Sequence, residues 1–339
     1  MRNTFKTAVA VSVTGILAVG LSACGGASGA DDGDSLSIVG YSVPEVANKA
    51  IAEQWAKTDE GEGVSIETSY GASGDQSRAV ESGLDADYVH FSLETDVTRL
   101  VDAGLVAEDW KDDEFGGTVS RSVVAFIVRK GNPKNIKGWD DLIRHDVDVI
   151  TPNPGSSGSA RWNILAAWGH VTSTGGSEDE AKDFVTSLLE NTVALPGSAR
   201  DATTAFNNGN GDVLISYENE AILARQNGED FDYVVPEDTL RIDNSGALLE
   251  DADSTADDWL EYVLSEAGQK EFAKVGFRPL TDVGDVEVEG ANDPKNPFPE
   301  PKTLLTIDDD FGGWDEAAQK FFDEEEGIIS AILAKTGNQ

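Results

Sequence analysis

Three short turns rich in serine and glycine stand where a strand-like run passes into a helix-like run. They are Tyr70–Gln76, Pro154–Ser159 and Gly197–Ala199, and none of them contains a lysine or a histidine. The first turn of a helix offers free backbone N–H groups and the positive end of the helix dipole, an arrangement that suits an anion. We therefore expect an anion held by backbone N–H groups and serine hydroxyls rather than by opposite charge.

For any one of these turns a simpler interpretation exists, because serine and glycine before a helix are commonly only caps and tight turns. The recurrence of such turns in one chain favours a shared ligand site. A hydrogen bond to a charged partner contributes roughly 1.5–3 kcal/mol. About five to seven such bonds, with three helix ends, therefore suffice for micromolar binding at ~8 kcal/mol after desolvation costs.

Gly155, Ser157 and Ser159 match the Gly-x-Ser-x-Gly pattern of a nucleophile elbow except at the last position, so a lipid-anchored hydrolase is a remote alternative. The chain has three histidines, His90, His145 and His170. Only His170 follows the turn, about 16 Å along the predicted helix at 1.5 Å per residue, which is too far for proton transfer. No histidine pair has metal-ligand spacing. We expect neither an enzyme nor a metal or other cofactor.

Strand-like and helix-like runs alternate along the chain, which predicts an α/β fold. Strands are predicted at Ser35–Tyr41, Val64–Ser69, Ser122–Arg129, Val147–Thr151 and Asp212–Tyr217. In open α/β sheets, ligands lie at the carboxyl ends of strands, against the helix N-termini. The serine and glycine turns occupy that position.

The helix ends carry further signals. Ser42 with Glu45, and Ser73 with Gln76, have the spacing of a capping box. Residues 315–335 are predicted to form one final amphipathic helix.

The N-terminus has the layout of a secretory signal: basic Arg2 and Lys6, an uncharged run, and the ending Leu-Ser-Ala-Cys at 21–24. This ending resembles a bacterial lipobox, which implies cleavage after residue 23 and acylation of Cys24. Cys24 is the only cysteine, so a disulfide within one molecule is excluded. Residues 24–34 are predicted to be the lipidated cysteine with a flexible tether.

The charge balance is strongly acidic, with 25 Lys and Arg against 63 Asp and Glu and a formal net charge of −38. This excludes nucleic acid as a partner, because phosphate contacts need clustered basic residues. Electrostatic attraction to anionic lipid is excluded for the same reason. The excess fits either adaptation to high salt or a generally acidic surface, and the sequence leaves both open.

Six stretches resemble the sulfate-binding proteins of bacterial sulfate/thiosulfate ABC importers, and they occur in that family's order. They are Tyr70–Gln76, Val128–Leu142, Val149–Gly169, Gly197–Phe206, Gly211–Ala221 and Thr306–Trp314. The resemblance implies a two-lobed, type II periplasmic-binding-protein-like α/β fold, each lobe a mixed sheet flanked by helices. Lobe I would comprise residues 35–121 and 237–339, and lobe II residues 122–236.

The same resemblance implies the site residues. Position by position, the family's ligand-binding residues correspond to Ser73, Ser157, Gly158, Ser159, Ala199 and Tyr217, with Ser42 near the site. Two positions depart from the family pattern: Ser159 replaces a glycine, and Tyr217 replaces a tryptophan whose indole donates. A phenol donates and also accepts, and its donor lies in a different place.

The resemblance implies an extracytoplasmic solute-binding lipoprotein that captures sulfate between its lobes and delivers it to the permease of an ABC importer. The expected protein is a monomer, anchored through Cys24 to the outer face of the cytoplasmic membrane. Thiosulfate, molybdate, tungstate and phosphate remain open as alternative ligands.

Overall fold

The computed structural model describes residues 34–337. The predicted signal peptide, the lipidation site at Cys24 and all of the tether but its last residue lie outside this range. Among the described residues, no helix is long and apolar enough to cross a membrane. The described residues fall within one compact unit.

Strands and helices alternate along these residues, as predicted. The strands are β1 Ser35–Tyr41, β2 Ser65–Gly71, β3 Tyr88–Phe91, β4 Thr118–Arg129, β5 Val149–Ile150, β6 Thr192–Ala194, β7 Val213–Tyr217, β8 Phe231–Val234, β9 Asp238–Leu248 and β10 Thr303–Leu305. The α-helices are α1 Glu45–Trp55, α2 Ser73–Glu81, α3 Glu94–Asp102, α4 Gly158–Ser173, α5 Glu178–Glu190, α6 Ala199–Asn207, α7 Glu218–Gln226, α8 Ser254–Leu264, α9 Glu266–Lys274, α10 Ile307–Phe311, α11 Trp314–Phe322 and α12 Ile328–Thr336. A 3₁₀ turn covers Trp139–Ile143.

The strands form a mixed sheet in the order β2-β1-β3-β9-β4-β7-β5-β6, with β10 beside β9 and β8 beside β4. Strand β4 belongs to two parts of this sheet. Its residues 118–123 pair with β9, whereas its residues 124–128 pair with β7. We call β2, β1, β3 and β9 the first half-sheet, and β7, β5, β6 and β8 the second half-sheet. Strand β4 joins them.

The centre of β4 is fully buried, from Val123 to Ile127. A strand covered by helices on both faces has no polar face, so its sequence is a continuous apolar run. That run is the reason this strand was recognisable in the sequence. Indole rings fill the space under the helices: Trp55 packs edge-on against Trp259 at 5.4 Å between ring centroids.

The C-terminal helices pack on the second half-sheet's helices. Trp314 of α11 meets Trp162 of α4 edge-on at 4.6 Å, and Phe321 meets Trp168 at 4.9 Å. The connection before β10 packs there as well, since Val288 joins the apolar cluster that contains Ile222. The division into lobes at residues 121/122 and 236/237 stays a prediction.

The prediction of one final helix over residues 315–335 is wrong, because α11 ends at Phe322 and α12 begins at Ile328. Between them the Asp323 carboxylate accepts hydrogen bonds from the N–H groups of Glu325 and Glu326 at 2.9 and 2.8 Å. An aspartate that caps a new turn competes with continuation of the helix.

Candidate functional site

Three helices begin at one place in the molecule. Helices α2, α4 and α6 follow the carboxyl ends of β2, β5 and β6, and their first residues are Ser73, Gly158 and Ala199. All three residues line a single small cavity of about 10 Å³. The turns predicted from sequence to share a ligand are therefore brought together, from both half-sheets.

The cavity is lined by uncharged residues alone: Tyr41, Ser42, Gly71, Ala72, Ser73, Ser92, Ser157, Gly158, Ser159, Ser198 and Ala199. Six of the seven residues predicted for the site are among them. The cavity offers hydroxyl groups and the N–H groups of helix first turns. These groups suit a small anion that has lost its hydration shell.

Ser73 does not cap α2, so the predicted capping box is wrong. Its hydroxyl donates to Asp96 Oδ2 at 2.6 Å and accepts from the backbone N–H of Ser92 at 2.9 Å. Ala72 occupies the N-cap position without a side-chain bond. The Ser73 hydroxyl is thus already engaged, and its backbone N–H is the donor left for a ligand.

The capping box predicted at Ser42 is also wrong, because Pro44 is the N-cap residue of α1 and no side chain caps that helix. Ser42 lines the cavity instead. Its carbonyl oxygen accepts a hydrogen bond from Arg200 Nη2 at 3.2 Å. Arg200 also reaches Glu220 at 3.3 Å and is not among the residues that line the cavity.

The turn before α4 holds two buried hydroxyls side by side. Ser157 Oγ and Ser159 Oγ lie 3.1 Å apart within hydrogen-bond distance. Between them, Gly158 has no room for a side chain, since a Cβ there would lie 2.5 Å from Ser92 Oγ. The hydroxyl of Ser159, which stands where the family has a glycine, is therefore paired with the hydroxyl of Ser157.

Helix α6 begins with a conventional cap. Ser198 Oγ accepts from the Asp201 N–H at 3.1 Å and donates to Asp201 Oδ2 at 2.8 Å. The cap fixes the direction in which α6 leaves the turn. It thereby places Ala199 in the cavity wall.

Tyr217 is the predicted site residue that does not line the cavity. It is fully buried, and its hydroxyl lies 2.8 Å from Ser92 Oγ. Burial raises the pKa of Tyr217 far above its ordinary value, so the phenol stays protonated. Ser92 stands between Tyr217 and the cavity and lines it directly.

Ser92 and Tyr41 are lining residues that the sequence reasoning missed. Ser92 follows β3 directly and Tyr41 ends β1, so the rule that ligands lie at the carboxyl ends of strands points to both. The Tyr41 hydroxyl is engaged, because it donates to Asn244 Oδ1 at 2.7 Å.

Comparison with known proteins assigns the chain to a family. The model of the bacterial extracellular solute-binding protein family matches residues 36–278. The chain belongs to this family. It is 38% identical to a sulfate-binding protein of Synechococcus elongatus over 95% of this chain and 94% of that protein. It is also 38% identical to a thiosulfate-binding protein of Pseudomonas aeruginosa over 68% of this chain and 73% of the other.

A solved structure supports the same family assignment. The sulfate-binding protein SubI from Mycobacterium tuberculosis H37Rv superimposes with a TM-score of 0.80 at 43% identity, covering 86% of this chain and 100% of that one. The predicted α/β periplasmic-binding-protein fold is confirmed. The resemblance to sulfate-binding proteins noted in the sequence is confirmed as well.

The histidines of this solute-binding protein lie outside the cavity lining. His90 is fully buried, and burial lowers its pKa to about 3. Its ring nitrogens contact Ser120 Oγ at 3.0 Å and Asn48 Oδ1 at 3.3 Å. His170 Nδ1 lies 2.6 Å from Asp238 Oδ2. Across residues 34–337, no group of acidic, histidine or cysteine side chains is arranged to hold a metal ion.

Proposed function

We propose that this protein captures sulfate in the cavity at the N-termini of α2, α4 and α6 and delivers it to an ABC importer. The observation that carries the proposal is the convergence of three helix N-termini on one cavity lined only by uncharged donors. The sulfate-binding names of relatives at 38% and 43% identity support the choice of anion. Thiosulfate is the second candidate, favoured by a relative of that name.

Sulfate is a dianion without protons at neutral pH, so it accepts hydrogen bonds and donates none. The cavity meets this need with the N–H groups of Ser73, Gly158 and Ala199 at three helix starts. Buried charge-assisted hydrogen bonds are the strong ones, worth roughly 1.5–3 kcal/mol each. Each helix end adds up to about 2 kcal/mol when partly buried.

Ser92, rather than Tyr217, is the hydroxyl donor on this side of the cavity. The Ser92 carbonyl can only accept, so its 3.2 Å contact with Asn244 fixes the Asn244 amide nitrogen toward it. The Asn244 side chain opposes the rise in the pKa of Tyr217, as a donated amide N–H would. We propose that Tyr217 in turn donates to Ser92 Oγ, 2.8 Å away, which leaves the Ser92 proton free for the anion.

Closure around the ligand follows from where the cavity residues originate. Ser42, Ser73 and Ser92 come from the first half-sheet, whereas Ser157 and Ala199 come from the second. An anion that contacts both sets favours their approach by its differential affinity for the closed state. Strand β4 joins the two half-sheets, and together with the neighbouring β9 it is the proposed hinge. The packing of Val288 and Phe321 favours counting residues from about 282 onward with lobe II.

The proposal also covers the anchoring, the oligomeric state and the role of the protein. The protein is anchored through acylated Cys24 to the outer face of the cytoplasmic membrane, acts as a monomer, and presents its closed form to the permease. We infer that it is not an enzyme, since Ser157 Oγ contacts Ser159 Oγ, whereas His90 contacts Ser120 and His170 contacts Asp238. No cofactor and no nucleic acid takes part.

Calorimetric titration tests the proposal. The purified protein is unfolded and refolded to remove bound anion, and sulfate, thiosulfate, molybdate, tungstate and phosphate are titrated separately in chloride buffer. Micromolar or tighter binding of sulfate, with phosphate silent, is the expected result. Binding of thiosulfate alone would transfer the assignment to that ligand. Silence of all five with a refolded protein would refute the proposed function.

A further inference from the structure

A second cavity adjoins the first and differs from it in charge. It has a volume of about 80 Å³ and shares Ser157 and Gly158 with the anion cavity. Three arginines line it, Arg78, Arg99 and Arg161, together with one carboxylate, Asp96. We call this second cavity the arginine vestibule. It lies between α2 and α3 on one side and the start of α4 on the other.

The vestibule arginines are incompletely neutralised. Arg161 has no carboxylate within ion-pair distance in the described part of the chain; its Nε donates to the Pro154 carbonyl at 3.1 Å. Arg99 reaches Glu81 only at 3.9 Å, and its Nε is buried without a hydrogen-bond partner. Arg78 pairs with Asp75 at 2.6 Å, on an exposed edge.

Neutralisation of the Asp96 carboxylate does not explain why three arginines line the vestibule. Its carboxylate accepts the Ser73 hydroxyl at 2.6 Å, and no arginine among residues 34–337 forms an ion pair with it. Burial raises the pKa of Asp96, while Ser73 and the more distant arginines oppose that rise. Residues that served only to neutralise Asp96 would be expected to contact it.

The location of the vestibule matters because the net negative charge of the protein repels an anionic ligand. The formal charge of −38 surrounds a cavity that contains no charge of its own. A local concentration of one sign of charge in a cleft raises the association rate of an oppositely charged ligand by about 10- to 10³-fold. The arginine vestibule supplies this local charge beside Gly158, at the start of α4.

We propose that the arginine vestibule is a transient oxyanion site, through which a dianion passes before it is dehydrated in the neutral cavity. This inference rests on the proposed function and adds a route and a rate to it. The vestibule guanidiniums attract the anion, and Ser157 and Gly158, which border both cavities, receive it. The vestibule acts through the association rate and leaves the dissociation rate almost unchanged.

Stopped-flow fluorescence tests the proposal, with the Trp162 indole, which donates to the Ser92 carbonyl at 2.9 Å, as the reporter. Association of sulfate is measured for the wild type and for a triple variant, Arg78→Gln, Arg99→Gln and Arg161→Gln. At low ionic strength, where the Debye length is about 30 Å at 0.01 M, the association rate constant of the variant should fall about tenfold. At 1 M salt the difference should nearly vanish, while the dissociation rate stays within about twofold throughout.

Two controls separate charge from structure. Arg144→Gln removes one positive charge, a third of the change in the triple variant, at a residue that lines neither cavity, and it should leave the association rate unchanged. Arg161→Lys keeps the charge but loses the Nε bond to Pro154, and it should retain most of the association rate.

The outcomes are distinct. An unchanged association rate in the triple variant, or a loss that appears only as faster dissociation, would overturn the vestibule proposal. It would leave the proposed function intact, because the wild type still binds. A wild type that binds no sulfate would instead refute the proposed function itself.

Discussion

The two adjoining cavities differ in the charge of the side chains that line them. The anion cavity holds hydroxyls and helix N-termini and has no charged side chain, whereas the arginine vestibule beside it holds three guanidiniums and a carboxylate. Fixed dipoles bind a dehydrated anion without the cost of burying a cation. Cations at a partly open site attract the anion from solution. The difference indicates that capture of the anion from solution and its retention after dehydration depend on neighbouring but separate sets of residues.

The largest loss of affinity should follow Gly158→Ala. The added Cβ would lie 2.5 Å from Ser92 Oγ and 2.7 Å from Ser92 Cβ, so the two walls of the cavity must separate. Calorimetry should show sulfate affinity reduced more than about 100-fold, in line with two or more lost charge-assisted bonds.

Gly197→Ala is the matched control for that change. A Cβ at residue 197 meets nothing closer than 3.9 Å, so its affinity should stay near that of the wild type. Wild-type affinity in the Gly158 variant would show that the walls do not close on each other during binding, and the neutral cavity would lose its assigned role.

A smaller loss is expected for changes at Ser92, which lines the cavity, and at Tyr217 behind it. Ser92→Ala removes a hydroxyl directed to the anion and should weaken sulfate binding about 10- to 100-fold. Tyr217→Phe should weaken it by less, about 3- to 10-fold, since its hydroxyl acts through Ser92. In the Ser92→Ala background, Tyr217→Phe should cost nothing further, and this absence of additivity is the measurement that identifies the relay.

The control for the tyrosine change is Tyr88→Phe. Tyr88 is equally buried, and its hydroxyl has no partner among the described residues, so calorimetry should show no loss of affinity. A large loss in Tyr217→Phe with little in Ser92→Ala would instead place the phenol itself on the anion. That result would restore the role predicted from the sequence resemblance.

The sequence predicted the elements and the turns better than it predicted what the side chains do. Strand β1 was predicted over its observed range, Ser35–Tyr41, because an apolar run bounded by polar turns is a local signal. The position of the Tyr70–Gln76 turn at the cavity also followed from local rules, whereas the choice of Ser73 within it came from the family resemblance.

The hydroxyl partners of Ser73 did not follow from local rules, because Asp96 lies 23 residues away and the choice between cap and carboxylate is a tertiary one. Ser92 was missed for the same reason. Its contacts with Tyr217 and Asn244 span 125 and 152 residues, and spacing along the chain carries no trace of them. The tyrosine at position 217, where the family has a tryptophan, was visible in the sequence. The position of Ser92 between Tyr217 and the cavity was not.

The smallest effect is expected far from both cavities, where charge serves stability rather than binding. Burial opposes protonation of His170, but its hydrogen bonds with Asp238 and Asp140 raise the pKa above the ordinary value. A group whose folded pKa is raised stabilises the fold fully below its unfolded pKa of about 6.5 and loses that contribution as pH rises through the folded value. His170→Gln should therefore lower the melting temperature by about 2 °C at pH 5.5 and by less at pH 8.5. An equal decrease at both pH values would show that His170 contributes packing alone, and unchanged sulfate affinity at either pH would keep this pair outside the anion's path.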